Sequence, residues 1–123
     1  MPHIDILIQE CEWQVTGIGV RQALLVALVD GGIVGSSIIR RDTRSTEEVY
    51  LESTFVNESH RRMGIATMLN EKSLEMAESL GARRVWVSVY RGNRFYLRWF
   101  LGHGFRVHGK NEARDTVLIC RDL

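Results

Sequence analysis

Apolar and polar positions change along the chain from the alternation typical of strands to the periodicity typical of helices, and then back. Weak alternation around residues 4–8 and 13–15 favours an extended segment at the start. Two apolar runs, Ala23 to Val29 and Ile33 to Ile39, flank Asp30-Gly31-Gly32, whose glycines can adopt positive φ. The pattern therefore predicts a β-hairpin.

The next strand signal follows the charged residues 40–48, which predict a solvated loop. We expect a strand over residues 49–56, and side chains two residues apart share one face of a strand. This parity places Tyr50, Glu52, Thr54 and Val56 together. It predicts in particular that Glu52 lies beside Thr54, on the face that carries Val56.

Helical periodicity occurs twice in the second half of the chain. Apolar residues between Ile65 and Leu80 fall largely on one side of a helix, and Gly81 is suited to end it. Leu74 falls on the opposite side of that predicted helix. Asn93 can then cap a second helix that runs to about Leu101 and is apolar on several sides, so we expect it to be well buried.

Three further strands are predicted at residues 84–90, 105–108 and 116–120. A strand-helix-strand crossover returns the chain in the same direction, so two central strands should be parallel. The sequence thus predicts an α/β (α+β) fold, with a mixed, mostly antiparallel twisted sheet, a central parallel strand pair and two main helices. The length of 123 residues suits a single domain, residues 1–123.

Charge and cysteine content exclude several classes of function. The formal net charge of +1 gives no global field that would attract nucleic acid or an anionic membrane. Cys11 and Cys120 lack C-x-x-C spacing and the histidines form no zinc-ligand pattern, so we expect reduced thiols and no metal. No segment has the length or the pattern of a membrane span or a secretory signal, which predicts a cytoplasmic protein.

The candidate chemistry begins at the turn between the strand at 49–56 and the first helix, which reads Arg61-Arg62-Met63-Gly64-Ile65-Ala66. The first N–H groups of a helix have no partner within the helix and carry partial positive charge, so they stabilise an anion. A phosphate is the anion that we expect. Arginines in a turn are often only solvated, however, and this short motif is weak by itself.

The stretch from about Val49 to Phe105 resembles the GNAT acetyltransferase superfamily, in which this turn reads Arg/Gln-x-x-Gly-x-Gly/Ala. Arg61, Gly64 and Ala66 match that pattern. The hairpin before the turn and the two strands at the end are similar to the family's topology. The N-terminal region is abbreviated, because few residues precede Ala23 where family members usually have a strand and two helices.

A second stretch is similar to the family pattern Asn-x-x-Ala-x-x-x-Tyr-x-x-x-Gly-Phe. Asn93 and Gly104-Phe105 match it, whereas Tyr96 stands at the usual alanine and Phe100 at the usual tyrosine. In the family that tyrosine is the common general acid. The resemblance therefore implies an enzyme with this acid missing or replaced.

The resemblance implies an N-acyltransferase that uses acetyl-CoA as cosubstrate and an amine as acceptor, with a peptide or protein amine among the candidates. The backbone of the turn would hold the pyrophosphate, and the pantetheine arm would lie along the strand that ends at Val56. The implied coenzyme-binding residues are Phe55, Val56, Arg61, Arg62, Met63, Gly64, Ile65, Ala66, Thr67, Asn93 and Phe100.

Acyl transfer to a primary amine requires loss of a proton, because such an amine has a pKa near about 10. Glu52 is the candidate base, since some family members use a glutamate on this strand. A plain salt bridge or a solvated side chain is the alternative role for Glu52. Tyr96, one helical turn before Phe100, is the candidate replacement acid, with Tyr90 as an alternative. Both tyrosines could instead be interfacial aromatic residues.

Two other functions stay open. A non-catalytic acyl-CoA-binding or interaction module on the same fold would also explain Phe100. Nucleic-acid binding through the many arginines is disfavoured, because those charges already suit the phosphates of coenzyme A. A homodimer is a further possibility, with exposed strands such as residues 116–120 pairing across it.

Overall fold

A computed structural model describes the backbone of residues 3–15, 18–42 and 47–123. In that part of the chain a sheet and two main helices form. The elements are β1 (Ile4–Val15), β2 (Ile18–Val29), β3 (Gly32–Asp42), β4 (Glu48–Val56), a short 3-10 helix (Glu58–His60), α1 (Ile65–Ser79), β5 (Arg84–Tyr90), α2 (Arg94–Gly102), β6 (Arg106–Asn111) and β7 (Thr116–Asp122).

The seven strands form one sheet in the order β1-β2-β3-β4-β5-β7-β6. Strands β4 and β5 are parallel, and every other neighbouring pair is antiparallel. The predicted mixed sheet with a central parallel pair is therefore confirmed. The predicted hairpin is β2-β3, and its turn residues Asp30 and Gly31 have φ of 50° and 80°, as a tight hairpin turn requires.

Strand β3 continues into the segment that we predicted to be a loop. Arg41 is buried, and its Nη1 donates to the carbonyl oxygen of Leu80 at 3.1 Å, near the end of α1. Pairing with β2 and this contact thus extend the strand through charged residues. The rest of the predicted loop, residues 43–46, lies outside the described residues. Strand β1 is also longer than predicted, since it is continuous from Ile4 to Val15.

Helix α1 packs against β2, β3 and β4 with a face that differs from the predicted one. Its buried residues are Ile65, Leu69, Asn70, Ser73, Leu74 and Ala77. The prediction that Leu74 points away is wrong, because two polar residues belong to the buried face and an apolar pattern does not detect them. Gly81 follows the helix with φ of 77°, which agrees with its predicted role as a terminator.

Helix α2 is less buried than predicted. Phe100 is its buried residue, whereas Phe95 is 64% exposed and Leu101 is 41% exposed. The prediction failed because Phe95 and Tyr96, in the first turn of this nine-residue helix, border a cavity. The predicted cap is present, since Asn93 Oδ1 accepts a hydrogen bond from the backbone N–H of Tyr96 at 3.3 Å.

Strand β7 lies inside the sheet, between β5 and β6. Both of its edges are therefore hydrogen-bonded. The prediction that residues 116–120 could pair across a dimer is wrong for this reason. Pairing with a second chain is open instead to the edge strands, β1 and β6.

Candidate functional site

The site forms where the two parallel strands stop pairing. Pairing between β4 and β5 runs from Glu48 with Arg84 to Leu51 with Val87. The remaining residues of the two strands are not paired with each other, and cavities occupy the gap between them. This gap exposes the backbone of the last residues of β4 to a ligand.

A β-bulge in β4 changes which side chains face helix α1. Ser36 pairs with Phe55 and Ile38 pairs with Glu52, so Ser53 and Thr54 stand opposite one residue of β3. The extra residue reverses the alternation beyond Glu52. The prediction that Glu52 lies beside Thr54 on the Val56 face is therefore wrong.

The bulge is fixed to α1 by a buried chain of polar side chains. Thr54 Oγ1 donates to Asn70 Oδ1 at 3.1 Å and lies 3.2 Å from Ser37 Oγ. Ser37 Oγ lies 3.5 Å from Ser73 Oγ, which in turn donates to the carbonyl oxygen of Leu69 at 2.8 Å. Ser37, Asn70 and Ser73 are each at most 1% exposed. These bonds hold the end of β4 at a fixed position relative to the start of α1.

The turn before α1 directs several backbone N–H groups to one side. Gly64 is the N-cap residue with φ of 77°, and Arg62 also has a positive φ, 65°. The first bond of the helix runs from the N–H of Met68 to the carbonyl of Gly64. The N–H groups of residues 65–67 thus have no acceptor within the helix. Such a turn followed by a helix N-terminus forms an anion-binding concavity.

Arg61 joins this turn to the end of β4. Its Nε donates to the carbonyl oxygen of Val56 at 3.3 Å. The guanidinium group also lies close enough to Tyr96 to favour that residue's ionised form. The positive charge therefore sits between the turn, the strand end and helix α2.

A cavity of about 590 Å³ collects most of the predicted coenzyme-binding residues. Met63 does not line it and packs partly buried against the core, and Phe100 lines a different cavity. The predicted residues that do line it are Phe55, Val56, Arg61, Arg62, Gly64, Ile65, Ala66, Thr67 and Asn93.

The same cavity is lined by residues that we did not predict, among them Thr54, His60 and Phe95. Thr54 enters because of the bulge, which carries no local sequence signal. Phe95 is an exposed aromatic residue on a helix that we expected to be buried. His60 follows the strand in the short 3-10 helix, where Ser59 Oγ lies 2.9 Å from its Nδ1.

A second cavity, of about 190 Å³, adjoins the first and reaches between the two diverging strands. Thr54, Asn93 and Tyr96 line both cavities. Glu52 and Phe100 line the second cavity. The two candidate catalytic residues, Glu52 and Tyr96, therefore border the same space.

The environments of these two residues differ. Glu52 Oε1 lies 2.9 Å from Arg40 Nη2, and the Glu52 side chain is 41% exposed. The salt bridge that we considered as an alternative role is thus present. Burial raises the pKa of Tyr96 above its usual value, and the charge of Arg61 opposes that rise. The phenol therefore keeps its proton at neutral pH and can donate it.

In residues 3–15, 18–42 and 47–123 no group of three or more His, Cys, Asp or Glu side chains is placed to hold a metal ion. Neither helix of the described part has the length and apolar content needed to cross a membrane.

Comparison with known proteins identifies the family. Residues 5–105 match the model of the acetyltransferase (GNAT) family. Proteins described as uncharacterized N-acetyltransferases, from Mycobacterium bovis and Mycobacterium tuberculosis, are each 35% identical over 95 residues, or 76% of this chain. The aligned part of this chain spans 59% of the length of these relatives.

Solved structures support the same assignment at the level of the fold. A GNAT family acetyltransferase from Elizabethkingia anophelis with acetyl-CoA bound has a TM-score of 0.72 at 17% identity, covering 83% of this chain and 76% of the other. An N-acetyltransferase from Thermoplasma acidophilum in complex with coenzyme A has a TM-score of 0.72 at 14% identity, covering 83% and 61%. The family match and the shared fold together establish that this chain belongs to the GNAT acetyltransferase family.

Proposed function

We propose that this chain is an acyl-CoA-dependent N-acyltransferase, with acetyl-CoA as the first donor to test and a primary amine as acceptor. One observation carries the proposal: the 590 Å³ cavity joins the end of β4, where pairing with β5 has stopped, to the open N–H groups of α1. A thioester arm and a pyrophosphate need these two features side by side. The acetyl-CoA bound to the E. anophelis relative supports the choice of donor.

The turn is suited to the pyrophosphate of the coenzyme. Gly64 adopts a left-handed conformation, which brings the backbone of residues 62–67 around a small concavity. Arg61 and Arg62 add positive charge beside it. The pantetheine arm, which carries amide groups, would then pair with the backbone of Phe55 and Val56 as an added strand does.

The reaction that we propose is direct attack. The amine nitrogen bonds to the thioester carbonyl carbon, the carbon–sulfur bond breaks, and the coenzyme leaves as a thiolate. A protonated amine loses one proton before the attack and a second as the amide forms, and the thiolate can take up one of the two. Glu52 is the proposed base and Tyr96 the proposed acid, since both border the second cavity and Tyr96 is protonated at neutral pH.

The sheet face from which an acceptor amine would approach is open. Glu52 lies on the sheet face opposite α1, and its partly exposed carboxylate can be reached from solvent. A peptide or protein amine fits this open approach better than a small amine that needs an enclosing pocket. The proposal includes a cytoplasmic location, supported by the free thiol of Cys120.

A non-catalytic acyl-CoA-binding module is the second candidate function. Phe100 is 3% exposed and has no hydroxyl group to protonate a leaving thiolate. The thiol of a coenzyme has a pKa near about 8.5 by analogy with cysteine, so it can leave without full protonation. Coenzyme binding is common to both functions, and turnover separates them.

Thermal unfolding with and without acetyl-CoA tests the binding step. Ligand at about 100 times its dissociation constant should stabilise the protein by roughly 2.7 kcal/mol, which shifts Tm by several degrees. The double variant Arg61→Glu, Gly64→Asp should lose this shift. Arg114→Glu reverses one arginine charge, as Arg61→Glu does, but in the turn between β6 and β7, and it should keep the shift. No shift in the wild type with any acyl-CoA would reject the proposal.

Release of free thiol in the presence of candidate amines then tests turnover. An acyltransferase releases one thiol for each acyl group that reaches the amine. A protein that shows the thermal shift but releases no thiol with any peptide or small amine would be the binding module instead.

A further inference from the structure

The second cavity continues from the point where the thioester would lie. It shares Thr54, Asn93 and Tyr96 with the larger cavity, and it opens where the pairing between β4 and β5 has ended. If the pantetheine arm runs along the end of β4, as proposed above, its sulfur lies at this junction. The group that the sulfur carries then points into the second cavity.

Four residues that line this cavity are apolar and belong to the core. Leu51, Val87, Val89 and Phe100 are each between 3% and 7% exposed. Phe100 adds a ring without a hydroxyl group, so it brings no buried polar atom that needs a partner. Asn70 also lines this cavity, and its Oδ1 already accepts the hydrogen bond from Thr54.

The size of the cavity exceeds what an acetyl group needs. Its volume is about 190 Å³, whereas a methyl group is comparable to a water molecule, whose share of liquid volume is about 30 Å³. An acetyl group would leave most of this space unfilled. Two of the polar residues of the cavity, Glu52 and Ser88, lie on the opposite sheet face from Leu51 and Val87, where an amine can approach.

We propose that the second cavity is an acyl subsite, and that the protein takes unbranched acyl groups longer than acetyl, of the butyryl class. This proposal rests on the proposed function. The acyl chain remains between Val87, Val89 and Phe100 while the carbonyl carbon exchanges its bond to sulfur for a bond to nitrogen. The length of the acyl group then changes the affinity for the donor, whereas the bonds formed and broken stay the same.

Calorimetric titration with coenzyme A, acetyl-CoA and butyryl-CoA tests the subsite in the protein alone. Each fully buried methylene group strengthens binding by about fourfold, so butyryl-CoA should bind up to about 15-fold tighter than acetyl-CoA. If the protein binds coenzyme A but binds butyryl-CoA no more tightly than acetyl-CoA, the acyl subsite alone is overturned. Failure of coenzyme A itself to bind would overturn the proposed function, and the acyl subsite with it.

Variants that fill the cavity provide the matched test. Val89→Leu and Val87→Leu each add one carbon to its wall, and the ratio of butyryl-CoA to coenzyme A affinity should fall several-fold within each variant. Val107→Leu adds the same carbon at a position that is 54% exposed and outside the cavity, and it should keep the wild-type ratio. Because each ratio is measured within one folded variant, a general loss of stability does not imitate the effect. An unchanged ratio in both cavity variants would overturn the proposal.

Discussion

The hydroxyl group of Thr54 donates to Asn70 Oδ1 at 3.1 Å, which joins the bulge of β4 to the first half of α1. Asn70 is 1% exposed, and both residues border the second cavity. The bond therefore connects the strand that would carry the thioester with the helix whose N-terminus would hold the pyrophosphate. The two halves of the proposed donor site are positioned relative to each other by this contact.

Loss of one partner from this bond should destabilise the protein. Asn70→Leu leaves the Thr54 hydroxyl with Ser37 alone, and Thr54→Val leaves the Asn70 oxygen unpaired, so we expect each to cost about 1–3 kcal/mol of unfolding free energy. The double variant should cost less than the sum, because no unpaired group remains. Urea unfolding of the four proteins measures this coupling. Strict additivity would show that the bond contributes nothing.

Gly35 should be required for the position of the end of β4. A Cβ atom at this residue would lie 2.8 Å from the carbonyl oxygen of Phe55 and 3.4 Å from atoms of Ile65 and Leu69. Gly35→Ala must therefore push β4 away, and we expect it to lower the unfolding free energy by about 1–3 kcal/mol and to weaken acetyl-CoA binding.

Gly32→Ala, in the same strand as Gly35, is the control for this change. Its Cβ would meet its nearest atom, the Val29 carbonyl oxygen, at an ordinary 3.6 Å. It should leave acetyl-CoA binding close to that of the wild type. Equal effects of the two substitutions on binding would mean that the close approach at Gly35 is unimportant.

We expect glycine to be required at position 64 for its left-handed backbone conformation, and not because a side chain would clash there. A Cβ atom would meet nothing within 4 Å there, but φ is +77°, and a left-handed conformation costs an L residue about 1–2 kcal/mol. Gly64→Ala should destabilise the fold by about 1 kcal/mol. Gly102→Ala has equally open space and no positive φ, so it should be neutral or stabilising by up to about 1 kcal/mol. Urea midpoints that fall equally for both would contradict this explanation.

Local sequence signals were sufficient for the hairpin, the helix ends and the parallel pair. The turn at Asp30-Gly31, the terminator Gly81 and the cap at Asn93 each depend on residues within a few positions. The turn before α1 was predictable for the same reason. Its glycine and arginines are contiguous, so the geometry follows from one strand-to-helix connection.

The features that sequence did not predict depend on packing between distant segments. The bulge at Ser53 and Thr54 is set by pairing with β3 and by bonds to α1, so counting alternate residues put Glu52 on the wrong face. The burial of Asn70 and Ser73 has the same origin. The cavities arise where two strands diverge, and no pattern within either strand indicates that.

Tyr96 is expected to act as a proton donor that stays protonated above the ordinary range. Burial raises its pKa, so a fall in rate caused by its ionisation should begin above the usual tyrosine value of about 10. Tyr96→Phe should lower kcat by about 10²-fold or more, and the fall in rate at high pH should disappear from its pH profile. Tyr90→Phe, at the rim of the same cavity, should leave both unchanged. A wild-type profile in Tyr96→Phe would exclude the role.

Substitution of Glu52 distinguishes its two possible roles, as a catalytic base and as a partner in a surface ion pair. Glu52→Gln keeps the shape and can still accept from Arg40, and an exposed ion pair contributes at most about 1 kcal/mol, so stability should change little. If Glu52 removes the amine proton, kcat/KM should fall by about 10²–10⁴-fold at neutral pH, with acetyl-CoA affinity unchanged. Glu48→Gln, on the same strand face with its carboxylate 3.9 Å from Arg84, is the matched control and should retain activity. Because the substrate amine loses its proton without help at high pH, the deficit of Glu52→Gln should shrink as pH rises. A deficit that is independent of pH would instead assign Glu52 to holding the acceptor.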